Sequence, residues 1–192
     1  IVNLIPKNSY LVRNVSRVIP ARLRFMIDKS EHELFFLKKI NNKSFVALVR
    51  PGKKFKIGKV FRIGGFVFEV LSVSDSGHRI IQYVGNIHSF DILAFLESHG
   101  EVPLPPYIDV DDPNYYKDRY QTVFAKTKGS VAAPTASLHF TDQVLKKLED
   151  KGVKFIDVCL HVGLGTFAPI KESIFDHEMH SEYYEFSEAA SV

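Results

Sequence analysis

The chain has 192 residues, 45% of them apolar and 24% charged, with a formal net charge of +3 and one cysteine. That balance is ordinary for a globular protein of one large or two small domains, and a lone cysteine excludes a structural disulfide within the chain. No apolar run is long enough to cross a bilayer as a helix, and the opening IVNLIPKNSY lacks the basic-then-apolar layout of a secretory signal, so a cytoplasmic protein without membrane contact is expected; a monomer is expected as well.

From Tyr10 to about Val84 the pattern is strand after strand. YLVRN, VIPARLRFMI, ELFFLKKIN, SFVALVR, KVFRIGG, FVFEVLSVS and HRIIQYV are rich in Val, Ile, Phe and Leu, with turn formers at Asn41-Asn42-Lys43, Pro51-Gly52, Gly64-Gly65 and Asp75-Ser76-Gly77. Short strands at this spacing predict a small barrel or sandwich, and RIGGFVFEV predicts a tight hairpin. The period then changes to helical over SFDILAFLES, with Ser89 as the expected cap, Ile92, Leu93, Phe95 and Leu96 as the apolar stripe and Gly100 as the end. VPLPPYIDVDDP follows as an extended connection between domains, enforced by Pro103, Pro105 and Pro106. Beyond it an α/β unit is expected: a small-residue loop, a helix HFTDQVLKKLEDK with Thr141 as cap and Gly152 past its end, and a strand VKFIDVCLHV that buries Cys159 as a small hydrophobe. SEYYEFS reads as a final strand, and a helix start is expected at Ser187.

Charge is unevenly distributed. Residues 1–62 hold 15 Lys and Arg against 3 Asp and Glu, giving +12, and the remaining 130 residues hold 10 against 19, giving −9. A basic half suggests a polyanionic partner, because neutralising phosphates releases condensed counterions; a solvated lysine-rich surface is the other reading. In NVSRVIPARL, Arg17 and Arg22 are able to hold phosphate bidentately or to pair with acids, and both readings stay open.

Three polar motifs crowd the last third. In VAAPTASLHF (131–140), Ala132, Ala133, Ala136 and Ser137 are small enough for a ligand to lie against the chain, Pro134 stiffens the turn, and His139 leads a helix as a cap, a packing residue or a ligand contact. LHVGLGTF (160–167) places Gly163 and Gly165 directly after an apolar strand, where α/β sheets expose backbone to ligands. The third glycine and following helix of a dinucleotide fingerprint are missing, so a nucleoside cradle is favoured over NAD, with His161 and Thr166 as polar contacts and Phe167 as an aromatic face. HEMHSE spaces its histidines as His177-x-x-His180 and has no thiolates beside it, so no metal is expected.

Together with VPLPPYI (102–108) and RYQTVFA (119–125), these strings resemble the S-adenosylmethionine:tRNA ribosyltransferase-isomerase family of queuosine biosynthesis, in the same order across almost the whole chain. The resemblance implies an α/β plus β protein: a discontinuous Rossmann-like α/β domain (1–23 and 88–192) with a small β barrel (24–87) inserted into it. It implies S-adenosylmethionine as a ribosyl-donating co-substrate and tRNA carrying 7-aminomethyl-7-deazaguanine at the wobble position as partner, with epoxyqueuosine formed and adenine and methionine released. His139 is then the first candidate for the base and His161 the second. Ala132, Pro134, Thr135, Ser137, Phe140, Gly163, Gly165, Thr166, Phe167, His180 and Glu182 are the implied substrate contacts, with Phe167 as an aromatic face for the sulfonium and Glu182 either accepting from the ribose hydroxyls or stabilising the sulfonium, an exposed strand residue being its other reading. Asn14, Ser16, Arg17 and Arg22 are the implied tRNA contacts. Ser137 stands where the family usually has glycine, and Asn14-Val15-Ser16 where many members have Asn-Asn-Thr. The family pattern runs further at both ends, with Gly-Thr-Thr-Ser, Tyr-Pro-Gly and Asn-Phe-His-Leu-Pro segments on the C-terminal side, so the chain is expected to lack N- and C-terminal parts and to turn over little. The rival expectation is a non-catalytic RNA-binding module or an inactive fragment of such an enzyme.

Overall fold

The structure, a computed structural model, describes residues 1–86, 88–105, 108, 113–167 and 180–186, excluding the side chains of residues 113, 114 and 167. In chain order the strands and helices are β1 (Tyr10–Asn14), β2 (Ser16–Val18), β3 (Arg22–Ile27), β4 (Ser30–Lys39), β5 (Ser44–Arg50), β6 (Val60–Ile63), β7 (Phe66–Val73) and β8 (Arg79–Tyr83). They continue as α1 (Ile92–His99), β9 (Thr127–Ser130), α2 (Asp142–Asp150), β10 (Lys154–His161) and β11 (Tyr183–Phe186). Two compact units result, one of residues 1–18, 104–107 and 115–192, the other of residues 19–103 and 108–114.

In the second unit six strands run in the order β3-β4-β5-β8-β7-β6, every neighbouring pair antiparallel. Their alternation puts Leu23, Phe25, Leu34, Phe36, Phe45, Phe68 and Ile81 inside. Across the two edge strands Phe25 of β3 stacks on Phe61 of β6 with ring centroids 5.7 Å apart, so the sheet is nearly closed and barrel-like. Phe45, Phe55 and Phe68 are at most 1% exposed, each contributing about 2–3 kcal/mol of apolar burial. Gly64 and Gly65, both at positive φ, form the β6–β7 turn.

Two local expectations are corrected here. VIPARLRFMI is not one strand: it divides at Ile19-Pro20-Ala21, because Pro20 has no N–H to give a ladder, and Ala21 N turns back onto Ile19 O at 2.8 Å. The cap of α1 is Asp91 rather than Ser89; its carboxylate accepts from Leu93 N at 2.9 Å and Ala94 N at 3.1 Å, which a residue two positions earlier does not reach. Ser187 lies outside the described residues, as does most of the 106–112 stretch of the proline-rich connection.

In the first unit β1 pairs in parallel with β10, Tyr10 opposite Lys154 through Asn14 opposite Val158, and β11 lies antiparallel on the other edge of β10. β2 and β9 form a separate parallel pair. α2 feeds β10: Thr141 Oγ1 accepts from Val144 N at 3.3 Å at its start, and Gly152, at φ 83°, reverses the chain at its end. Val15, Phe124 and Cys159 pack together beneath Phe140 and Leu145.

Candidate active site around His161

β10 carries its last residue, His161, to the carboxyl end of the parallel pair, the end where α/β units meet ligands. There Ser16 Oγ lies 2.6 Å from His161 Nδ1. Asn14 holds both sides of this contact. Its Oδ1 accepts from Ser16 N at 2.9 Å and Leu160 N at 3.1 Å, and its Nδ2 donates to Leu160 O at 2.8 Å. Gly129 of β9 lies against the ring: at φ 153°, with a Cβ that would stand 2.5–2.8 Å from three imidazole atoms, the position accepts only glycine. The Tyr183 ring is nearly parallel to the imidazole, 13° between planes and 6.1 Å between centroids.

Burial pushes the His161 pKa below its ordinary value, against an opposing pull from Glu185. The ring is therefore neutral at pH 7, with one N–H and one lone pair. When Nδ1–H donates to Ser16 Oγ, Nε2 is the proton acceptor. Cys159 Sγ lies 3.8 Å from Nε2, and burial raises that thiol's pKa first of all, so no thiolate competes for the proton.

Hydrogen bonds join parts of the three motifs at the turn that follows His161. Ser130 Oγ accepts from Val162 N at 2.7 Å and Val131 N donates to Val162 O at 3.0 Å, tying the 131–137 loop to the turn after β10. Gly163 N donates to Glu182 Oε1 at 2.8 Å, and the same oxygen is 3.4 Å from His180 Nε2. The His180 ring occupies the space a side chain at Gly165 would need. His161, Gly163, Gly165, His180 and Glu182 thus form one constellation with Asn14 and Ser16.

Other residues singled out in the sequence stand apart from it. Ala132 and Ala133 are buried, Pro134 and Ser137 half-buried, and Thr135 exposed within a 3₁₀ turn over Thr135–Ser137. Phe140 packs on Phe124 with centroids 5.5 Å apart. His139 is exposed and makes no hydrogen bond among the described residues. Thr166 is exposed, while the Phe167 side chain and His177 lie outside the described residues. Ser16 is 1% exposed. Arg17 is half-buried without an ion pair to a described residue, whereas Arg22 belongs to the second unit, where its Nε is 3.3 Å from Glu33 Oε2 and its guanidinium covers the Phe35 ring. Gly129 and Tyr183 escaped the sequence reading; the Lys128-Gly129 pair inside a short β stretch was the available signal for a close approach of the backbone. Among the described residues no group of three or more His, Cys, Asp and Glu is arranged to hold a metal ion.

Comparison with known proteins adds the wider context. The family described as queuosine biosynthesis protein matches residues 1–192. The S-adenosylmethionine:tRNA ribosyltransferase-isomerase of Clostridioides difficile is 44% identical over 199 residues, covering 100% of this chain and 56% of that protein. The protein of the same name from Halothermothrix orenii is 45% identical over 194 residues, covering 97% and 55%. A crystal structure of S-adenosylmethionine tRNA ribosyltransferase from Thermotoga maritima, 25% identical, covers 95% of this chain and 46% of its own with a TM-score of 0.38, too loose a superposition to add to the strand registers above. The chain spans about half the length of the curated relatives it matches.

Proposed function

Because the chain belongs to the queuosine biosynthesis protein family, whose pattern it matches over residues 1–192, we propose that it takes part in transferring and isomerising the ribosyl group of S-adenosylmethionine onto 7-aminomethyl-7-deazaguanine at the tRNA wobble position. The products are epoxyqueuosine in tRNA, adenine and methionine. The observation that carries this reading is the convergence of the 14–16, 160–166 and 180–183 segments on a neutral, oriented His161. In this reading the first unit is the Rossmann-like α/β part of an α/β plus β protein, and the barrel is its inserted companion.

S-adenosylmethionine supplies an activated ribosyl group whose sulfonium acidifies the neighbouring carbon. His161 accepts a proton at Nε2, from that carbon or from the attacking amine, when Nδ1–H donates to Ser16 Oγ; Ser16 orients the ring and Asn14 holds Ser16. His139, exposed and without a hydrogen bond among the described residues, takes second place. The backbone turn at Gly163 and Gly165 and the carboxylate of Glu182 line the approach for the nucleoside. Adenine release from S-adenosylmethionine in the presence of precursor-bearing tRNA tests the proposal. Adenine and ribosylated tRNA are expected in equal amounts, at the low rate expected of a chain spanning about half its relatives' length, and reduced by a further factor of about 10²–10⁴ by His161→Gln. Adenine release that does not depend on the precursor base in the tRNA contradicts it.

A further inference from the structure

Between Leu34 and Phe68 the chain contains nine Lys and Arg and no Asp or Glu. Four of these cations, Lys53, Lys54, Lys56 and Lys59, lie in the loop joining β5 to β6, all exposed and none ion-paired to a described residue. Their backbone is held from beneath. Phe55, 1% exposed, plugs into the barrel edge-on to Phe25 and Phe61. The buried guanidinium of Arg79 donates to Phe55 O at 3.0 Å, Gly52 O at 2.9 Å and Gly77 O at 2.5 Å. Lys59 N closes a turn onto Lys56 O at 3.0 Å, and Gly58 N and Lys59 O bond to Val70 O and N at 2.8 and 3.0 Å. Arg50 and Arg62, both exposed, end and follow the loop on β5 and β6.

A loop of this length need not have a fixed backbone to keep lysines soluble. Here a buried arginine, a buried phenylalanine and two strand-type hydrogen bonds fix it, and the side chains it presents are of one sign. That combination is a preorganised polycation: the backbone entropy of docking is already lost, and each lysine is free to neutralise one phosphate. We propose that this barrel loop, through Lys53, Lys54, Lys56 and Lys59, is a docking surface for the RNA phosphate backbone. It rests on the tRNA reading above and adds a contact region apart from residues 14–22. Recognition is by charge, so it is indifferent to RNA sequence, and the exposed Ile57 and Val60 are single apolar residues of the kind any surface carries.

The test is tRNA binding by the whole chain as a function of salt, with all four lysines changed to glutamine, with Lys56→Gln and Lys59→Gln alone, and with all four changed to arginine. Circular dichroism and thermal melting verify that each variant is folded. The expected result is a log–log salt slope shallower by about 3 and an affinity at least about tenfold weaker for the fourfold glutamine variant. The double variant should lose about half of that slope, and the arginine variant should keep the wild-type slope. Wild-type binding with an unchanged slope in either glutamine variant overturns this surface while leaving the tRNA reading intact. Absence of tRNA binding by the wild type sinks both. Loss of binding to phosphatidylserine vesicles with tRNA binding unchanged assigns the loop to a membrane surface and overturns the RNA proposal.

Discussion

Ser16 and His161, 145 residues apart in the chain, meet at 2.6 Å because β1 and β10 pair in parallel and Asn14 bridges the end of one strand to the end of the other. The contact places the hydroxyl of a 1%-exposed serine against Nδ1 and leaves Nε2 to act. Ser16→Ala should cost about 1–3 kcal/mol, the usual penalty for a buried polar atom stripped of its partner, and should change the His161 titration. Ser16→Thr, which keeps the hydroxyl, should restore that titration. Urea unfolding and histidine titration by NMR measure both; a titration unchanged in Ser16→Ala would show that the hydroxyl does not orient the ring.

His161 also makes stability depend on pH in a definite direction. Its folded pKa is depressed by burial, so well above the unfolded value of about 6.5 the ring is neutral in folded and unfolded chains alike. As pH falls below that, the unfolded chain binds the proton first and stability is lost until the pH has passed the folded value. His161→Gln should therefore lose less stability than wild type between pH 7.5 and 5.5, the other seven histidines being common to both. Equal losses in the two proteins would contradict the burial argument.

Cys159 is 7% exposed, and burial raises its thiol pKa. A raised pKa and a closed surrounding both suppress thiolate chemistry. Reaction with an aromatic disulfide reagent at pH 8 should thus be slow in the folded chain and rapid in urea, and Cys159→Ala should leave adenine release unchanged. Fast labelling of the folded chain would mean that the thiol is open to solvent.

The barrel was legible in the sequence because its strands alternate cleanly, Leu23 and Phe25 in, Arg22, Arg24 and Met26 out, and because paired glycines mark the β6–β7 turn. Thr141 was read correctly as a cap, with Asp142 following it into the first turn, whereas Ser89 and Asp91 are both good capping types and only the backbone decides between them. The site was half legible. The glycines and histidines of 160–166 and the His180-Ser181-Glu182 string announce a backbone approached closely, but what approaches Gly165 is the chain's own His180. The pairing of Ser16 with His161 was beyond reach, because it depends on the register of two strands separated by the whole barrel. Ser16 read as an RNA contact for the same reason: a serine near arginines carries no sign that it is buried.

The central claim is that His161, rather than His139, is the ring that meets the substrate. The direct measurement is histidine-labelled NMR of the chain, following both imidazoles while S-adenosylmethionine is added. The account predicts that the His161 resonance titrates below the ordinary histidine range and shifts on addition of S-adenosylmethionine, with the His139 resonance unmoved. A shift at His139 with His161 unaffected would contradict it.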